Sequence, residues 1–169
     1  MIGLYYGRFN PVHKGHLQVM KDILSEVDTL IVVIGSPHRR NLIRDPFDGM
    51  ERKKMIAAYL KESRIDACRI KIVIVPDGKS FSSTVTNLFK YCGKFDLIYC
   101  NKKTIIRLIE KKTRVKDIPG KRIASATKLR DAIANDKEWE HYTGKSVAKL
   151  IRKFNGIERI KKAYDTAER

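Results

Sequence analysis

Gly7, Arg8, Phe9, Asn10, Pro11, Val12, His13, Lys14, Gly15 and His16 put a guanidinium, two imidazoles and two glycines into one short stretch. Those side chains suit an anion, and a phosphate best. Near neutral pH an imidazole donates a hydrogen bond to a phosphate oxygen, or carries a positive charge when phosphate is close. His13 and His16 are three residues apart, so on a helix they share one face over one turn. Gly15 leaves no Cβ in the way of a close approach. The H-x-x-H spacing also fits a metal, but no Cys, Asp or Glu lies within five residues of the pair to complete such a site. No metal ligands are assigned. Taken singly, each histidine could be a polar residue at a helix start and Arg8 a solvated charge. Their combination favours phosphate.

The flanking sequence supplies the elements that must position this stretch. Ile2 to Tyr6 is short, apolar and aromatic, and reads as a buried strand. Leu17, Met20, Lys21, Leu24 and Val27 recur at mostly helical spacing, which starts a helix near Lys14. Backbone N–H groups at that helix start would attract anions. Further strands are predicted over 28–34, 69–75 and 95–100, with a short fifth near Arg114-Val115 or Ile123. Helices are predicted over 49–61 (Met50, Lys53, Ile56, Ala57, Leu60), 82–91, 102–111, 127–134, 146–154 and 157–167. Strands alternating with helices predict an α/β fold, a Rossmann-like doubly wound parallel sheet of about five strands with helices on both faces and C-terminal helices. Ligands of such sheets bind at the carboxyl ends of the strands. A second turn fits the same chemistry. Ser125 is a natural N-cap, Thr127 follows, and Arg130 lies one turn into the helix as a fork-shaped cation suited to phosphate.

These segments together resemble the H-x-G-H nucleotidylyltransferase superfamily, and within it the archaeal nicotinamide mononucleotide (NMN) adenylyltransferases. The first stretch, G-R-F-x-P-x-H-x-G-H, is the first signature; Ser125 to Arg130 resembles the second. Ile34-Gly35-Ser36, the Arg44-Asp45-Pro46-Phe47 to Glu51-Arg52 stretch, and the tail with Asn155 to Ile160 fit in order. The resemblance spans nearly the whole chain and implies a transfer of AMP from ATP to NMN, giving NAD and pyrophosphate. The alternative is a related enzyme acting on another phosphate, such as FMN, phosphopantetheine or a glycerol phosphate. A non-enzymatic nucleotide-binding regulator is a third reading. The resemblance implies His13, His16 and Arg44 as catalytic residues. It implies Gly7, Arg8, Phe9, His13, Gly15, His16, Asn101, Ser125, Thr127 and Arg130 around ATP. Gly35, Ser36, Asp77, Phe81 and Thr84 are the acceptor candidates. The family's ring-stacking tryptophan falls at Thr84, and the only tryptophan here is Trp139. Phe81 is a substitute platform or ordinary core. Mg²⁺ would accompany ATP, and a homo-oligomer, often a hexamer, is implied.

Length and composition bound these readings. One domain over 1–169 is expected, with a C-terminal helical part from about 137, since no repeat or Pro/Gly/Ser linker appears. No signal peptide or apolar run of membrane-span length is read. Cys68, Cys92 and Cys100 have no C-x-x-C spacing, sit in or near predicted core elements, and fit structural thiols in a reducing cytoplasm. The net charge is +17, and the stretch 101–130 contributes +9 of it, with eleven Lys or Arg against two acids. Such a field would steer phosphate-rich substrates or coat a solvated face. Nucleic acid is disfavoured, because stacking aromatics are missing from the stretch.

Overall fold

The computed structural model describes residues 1–120 and 124–167, in which five strands alternate with helices. The strands are β1 (Ile2–Gly7), β2 (Thr29–Ile34), β3 (Ile70–Ile74), β4 (Leu97–Tyr99) and β5 (Arg114–Lys116). The helices are α1 (Lys14–Leu24), α2 (Gly49–Glu62), α3 (Phe81–Cys92), α4 (Lys103–Ile109), α5 (Ala126–Ala134), α6 (Lys145–Lys153) and α7 (Gly156–Ala167). Short 3₁₀ turns at Ala67–Arg69 and Glu140–Tyr142 are additions to the sequence reading. The fifth strand forms at Arg114; the alternative at Ile123 lies outside the described residues. β4 is shorter than the predicted 95–100. Asp96 still pairs with β1 before the strand proper, donating its N–H to the Ile2 carbonyl at 2.8 Å and accepting the Ile2 N–H on its carboxylate.

All strand pairs are parallel, in the order β3-β2-β1-β4-β5. β1 therefore lies at the centre, and the chain reverses its direction across the sheet between β3 and β4. Alternate residues serve opposite faces. Leu4, Ile31, Val33 and Ile98 face α3 and α4 and pack on Val85, Leu88, Cys92, Ile105 and Ile109. On the other face Gly3 lies against Val27 and Tyr99, just past the end of α1; an ideal Cβ there would come within 3.1 Å of Val27. Helices thus cover both faces, as expected for the doubly wound class.

The chain divides into two compact units. One holds Met1–Arg8, Gln18–Pro37 and Asp66–Gly120, and contains the sheet. The other holds Phe9–Leu17, His38–Ile65 and the described part of 121–169. Within this second unit α2 packs on α6, and α7 packs on α5 and α6. Its buried side chains include Phe47, Met55, Ile56, Tyr59, Leu129, Ile133, Val147, Ile151 and Ile160. The apolar pattern of α2 is not the one read from sequence. Met50, Lys53 and Ala57 are exposed, whereas Arg52, Met55, Ile56, Tyr59 and Leu60 are buried. Arg52 is buried with its Nε donating to the Asp48 carbonyl at 3.1 Å, in keeping with the rule that buried polar groups are hydrogen-bonded. In α1, similarly, Ile23 is fully buried and Lys21 exposed.

Candidate active site

The first signature leaves β1 at Gly7 and turns sharply, with Phe9 at φ 51°. Phe9 is buried and its ring meets the His16 ring edge-on at 4.8 Å. The His13 and His16 rings stack at 3.7 Å with 26° between their planes. Backbone N–H groups fix both rings. Gly15 N–H and His16 N–H donate to His13 Nδ1 at 3.1 and 3.4 Å, and His13 N–H donates to His16 Nδ1 at 3.3 Å. An Nδ1 that accepts has no proton of its own, so in each neutral ring the proton sits on Nε2. The Gly15 and His16 amides are therefore engaged by the His13 ring, and each neutral ring carries its donor at Nε2. This corrects the expectation of bare amides at the start of α1, because His13 caps Gly15 and His16 itself. Burial, and then the neighbouring His13, hold the His16 pKa well below the ordinary histidine value.

The second signature closes on the first. Arg130 is buried and donates from Nη1 to the Asn10 carbonyl at 2.8 Å and from Nη2 to Thr127 Oγ1 at 3.3 Å. Ser125 caps α5 by accepting the Lys128 N–H at 3.1 Å. An ideal Cβ on Gly15 would lie 3.0 Å from His13 Cε1 and 3.1 Å from the Ala124 carbonyl oxygen. Gly15 is thus buried as a contact glycine between the two signatures, where its missing Cβ was expected to leave room for a ligand. The Arg44 loop joins them through Asn10, whose buried amide donates to the Phe47 carbonyl at 2.9 Å and accepts the Phe47 N–H at 3.1 Å. Arg44 itself is exposed at the tip of a tight turn, where Asn41 N–H donates to the Pro46 carbonyl and Asp45 N–H to the Leu42 carbonyl. Arg39 pairs with Asp45 at 3.6 Å, and Thr143 holds the Val12 carbonyl at 2.9 Å.

The remaining candidates stand at the strand ends of the sheet unit. Gly35 N–H donates to the Gly7 carbonyl at 3.0 Å, and an ideal Cβ on Gly35 would come within 2.6 Å of Tyr6 Oη. Burial, then the Asp77 carboxylate, pushes the Tyr6 phenol up to about 12. Asp77 accepts the Ser36 N–H at 3.3 Å. Arg8 is exposed, and Asn101 Oδ1 accepts the Ile118 N–H at 3.3 Å. Thr84 is buried, with its hydroxyl accepting the Gly78 N–H and donating to the Ser80 carbonyl, both at 3.0 Å. That bonding makes Thr84 part of the start of α3 and leaves it no flat surface for a ring. Phe81 is exposed, so the core alternative for it fails; Lys102 Nζ sits 4.7 Å over its ring. Trp139 is buried beneath the Arg152 guanidinium in the other unit. Cys92 and Cys100 are buried free thiols, and burial pushes Cys92 up to about 11; Cys68 is exposed, against expectation, on a 3₁₀ turn before β3. Among the described residues no three His, Cys, Asp or Glu are grouped to hold a metal ion.

With this geometry in view, comparison with known proteins decides the family. The cytidylyltransferase-like family matches residues 4–132, which takes in both signatures. The chain belongs to the cytidylyltransferase-like family. A nicotinamide-nucleotide adenylyltransferase of Pyrobaculum arsenaticum is 34% identical over 95% of this chain and 93% of its own. The enzyme of the same name from Thermococcus kodakarensis is 32% identical over 94% and 86%. A crystal structure of a bifunctional NMN adenylyltransferase/ADP ribose pyrophosphatase from Francisella tularensis, complexed with AMP and a manganese ion, superposes with a TM-score of 0.78 at 23% identity. It supports the fold, and this chain spans 51% of that longer one.

Three residues of this cytidylyltransferase-like chain escaped sequence reasoning. Asn10 lies inside the signature at an unassigned position, and its role depends on Phe47, far along the chain. Tyr6 was read only as strand. Arg159 lies in the tail motif, yet its bidentate contacts to Glu51 at 2.7 and 3.0 Å tie α7 to the start of α2, and its bonds to Asn41 Oδ1 and the Pro46 carbonyl tie it to the Arg44 loop. A charged residue inside an apolar helical pattern was the one available signal for it.

Proposed function

We propose that this chain transfers the adenylyl group of ATP to nicotinamide mononucleotide, forming NAD and pyrophosphate. The names of its curated relatives support the acceptor and favour it over FMN, phosphopantetheine or a glycerol phosphate. The observation that carries the chemistry is the closure of the two signatures: a stacked imidazole pair on a loop whose Asn10 carbonyl accepts from the buried Arg130. A phosphate oxygen of NMN attacks the α-phosphorus of ATP. The bond from that phosphorus to the β-bridging oxygen breaks, and its electron pair leaves with pyrophosphate. The nucleophile is already an anion, so no general base is needed. Catalysis then consists of bringing two anions together and neutralising charge on the five-coordinate transition state.

In this reading His13 and His16 donate to the ATP phosphates, with His16 at the α-phosphate. Arg44 reaches the triphosphate from its turn, and Arg8 and Arg130 meet the β- and γ-phosphates. Gly7, Phe9 and Gly15 shape the loop, Asn101 reads the adenine nucleotide, and Ser125 and Thr127 serve the pyrophosphate. Gly35, Ser36, Asp77 and Phe81 border the acceptor, whereas Thr84 acts through the α3 cap. Mg²⁺ comes in with ATP as part of the substrate, held by phosphate oxygens and water. A single domain, a cytoplasmic location and a homo-oligomer such as a hexamer complete the proposal. Buried free thiols support the reducing compartment, and no helix among the described residues is long and apolar enough to cross a membrane.

A panel of ATP and CTP against NMN and the three other acceptors, scored by pyrophosphate release and product mass, tests the reaction. NAD from ATP and NMN is the expected product. Turnover with another acceptor but not NMN, or tight ATP binding without turnover, overturns the proposal.

A further inference from the structure

The tail motif Asn155-Gly156-Ile157-Glu158-Arg159 has no part in the chemistry above, yet its Arg159 makes five side-chain hydrogen bonds. Arg159 grips Glu51 through both Nη atoms, donates from Nε to Asn41 Oδ1 at 2.8 Å and also bonds the Pro46 carbonyl. A second donation from Nη1, to the Phe154 carbonyl at 3.2 Å, ties the guanidinium to the end of its own helix hairpin. Its guanidinium stands 5.2 Å over the Phe47 ring. Asn155 turns the chain from α6 into α7 at φ 54°, a conformation that asparagine tolerates better than most residues. Gly156 then admits Phe47: an ideal Cβ there would lie 2.5 Å from Phe47 Cζ and 2.8 Å from the Ile151 carbonyl. These contacts bracket one residue. Asn41 precedes Arg44, Pro46 and Phe47 follow it, and Arg44 is exposed between them.

We propose that Arg159, seated by Asn155 and Gly156, is a positioning residue that holds both ends of the Arg44 turn so that Arg44 meets the triphosphate. The inference rests on the catalytic reading of Arg44. An arginine fork is what the task needs, because one planar group must satisfy a carboxylate, two carbonyls and an amide oxygen together. Lysine in its place keeps one charge and loses the simultaneous grip.

Two measurements on the full chain test it. Trypsin cleavage after Arg44, followed by mass spectrometry, reads the anchoring without any turnover. Arg159→Met raises that rate about tenfold as the turn opens locally, Arg159→Lys gives an intermediate rate, and Arg152→Met, which removes an exposed arginine of α6, leaves it unchanged. The kinetic cycle reads the consequence. Arg159→Met lowers kcat about tenfold or more with a smaller change in KM, since misplacing a catalytic group costs rate. The Arg44→Ala/Arg159→Met double variant is then no slower than Arg44→Ala, as expected when one residue acts through the other. Unchanged cleavage in both Arg159 variants overturns the inference, as does a double variant whose losses multiply. Should the Met variant not fold, the Lys variant carries both measurements. Wild-type protein that forms no NAD refutes the proposed reaction, while the cleavage ratios still decide the anchoring.

Discussion

An imidazole whose Nδ1 accepts backbone N–H groups can be a neutral donor at only one other place. Both histidines of the signature are in that state, and the stacking of the rings at 3.7 Å makes charge on either costly to the other. His16→Ala removes one preorganised donor, an effect of about 3 kcal/mol on a barrier, so kcat is expected to fall about a hundredfold or more. A loss under about fivefold in a folded variant contradicts the role, since donors of this type carry more. The same variant reports on pH. The His16 pKa is lowered in the folded chain, so above the ordinary histidine value both states are neutral there and its titration adds no pH dependence to stability. As pH falls below that value the unfolded chain takes up a proton that the folded chain resists. Stability therefore declines with acidification through this window, down to the lowered folded pKa. Urea midpoints from pH 7.5 to 5.5 are expected to fall less in His16→Ala than in the wild type; equal slopes contradict the shift. The residue types of this site were legible in sequence because only a few side chains suit phosphate. Asn10 was not, because an amide is informative only through its partner.

Elements were legible wherever periodicity was strong. The order of strands and helices follows from the apolar runs, and their ends shift by a residue or two. The failures have physical causes. Of the helical pattern in α2, Ile56 and Leu60 are buried but Met50, Lys53 and Ala57 are not, and Arg52, with its Nε on the Asp48 carbonyl, is buried instead. Thr84 was aligned with a ring-stacking position, yet its hydroxyl serves the loop before α3. Two glycines show how an element's start and end differ. Gly15→Ala places a methyl 3.1 Å from a backbone carbonyl that cannot rotate away, and 3.0 Å from the His13 ring. It is expected to lower kcat about tenfold by displacing the imidazoles. Gly93→Ala at the end of α3 meets nothing within 4 Å, but holds φ at 76°. It is expected to cost about 1–3 kcal/mol of stability, since ψ −150° with this φ is a region that almost only glycine adopts, and to leave kcat alone. Measured kcat and urea midpoints for the pair separate contact from backbone strain; a fully active Gly15→Ala would contradict the closure of the two signatures.

For the whole molecule, a doubly wound sheet is implied by alternation, but the order β3-β2-β1-β4-β5 is not, since sequence says nothing of which strands become neighbours. The second unit was equally hidden, because it is assembled from three separated stretches joined by side chains such as Asn10 and Arg159. Charge is a property at this scale that sequence does give. Over half of the +17 falls in 101–130, and in that stretch Lys116 pairs with Glu26 at 2.7 Å while Lys102, Lys103, Lys111 and Lys112 are exposed. A positive field of this kind speeds the arrival of a triphosphate without altering the chemical step. Raising salt from about 0.1 M to about 1 M shortens the screening length from about 10 Å to about 3 Å. The expected result is a fall in kcat/KM for ATP of about tenfold with kcat nearly constant. A flat kcat/KM assigns the basic stretch to solubility alone. Submicromolar polynucleotide binding that falls steeply over the same salt range, with ATP kinetics unmoved, assigns it to nucleic acid instead, because release of condensed counterions gives that slope.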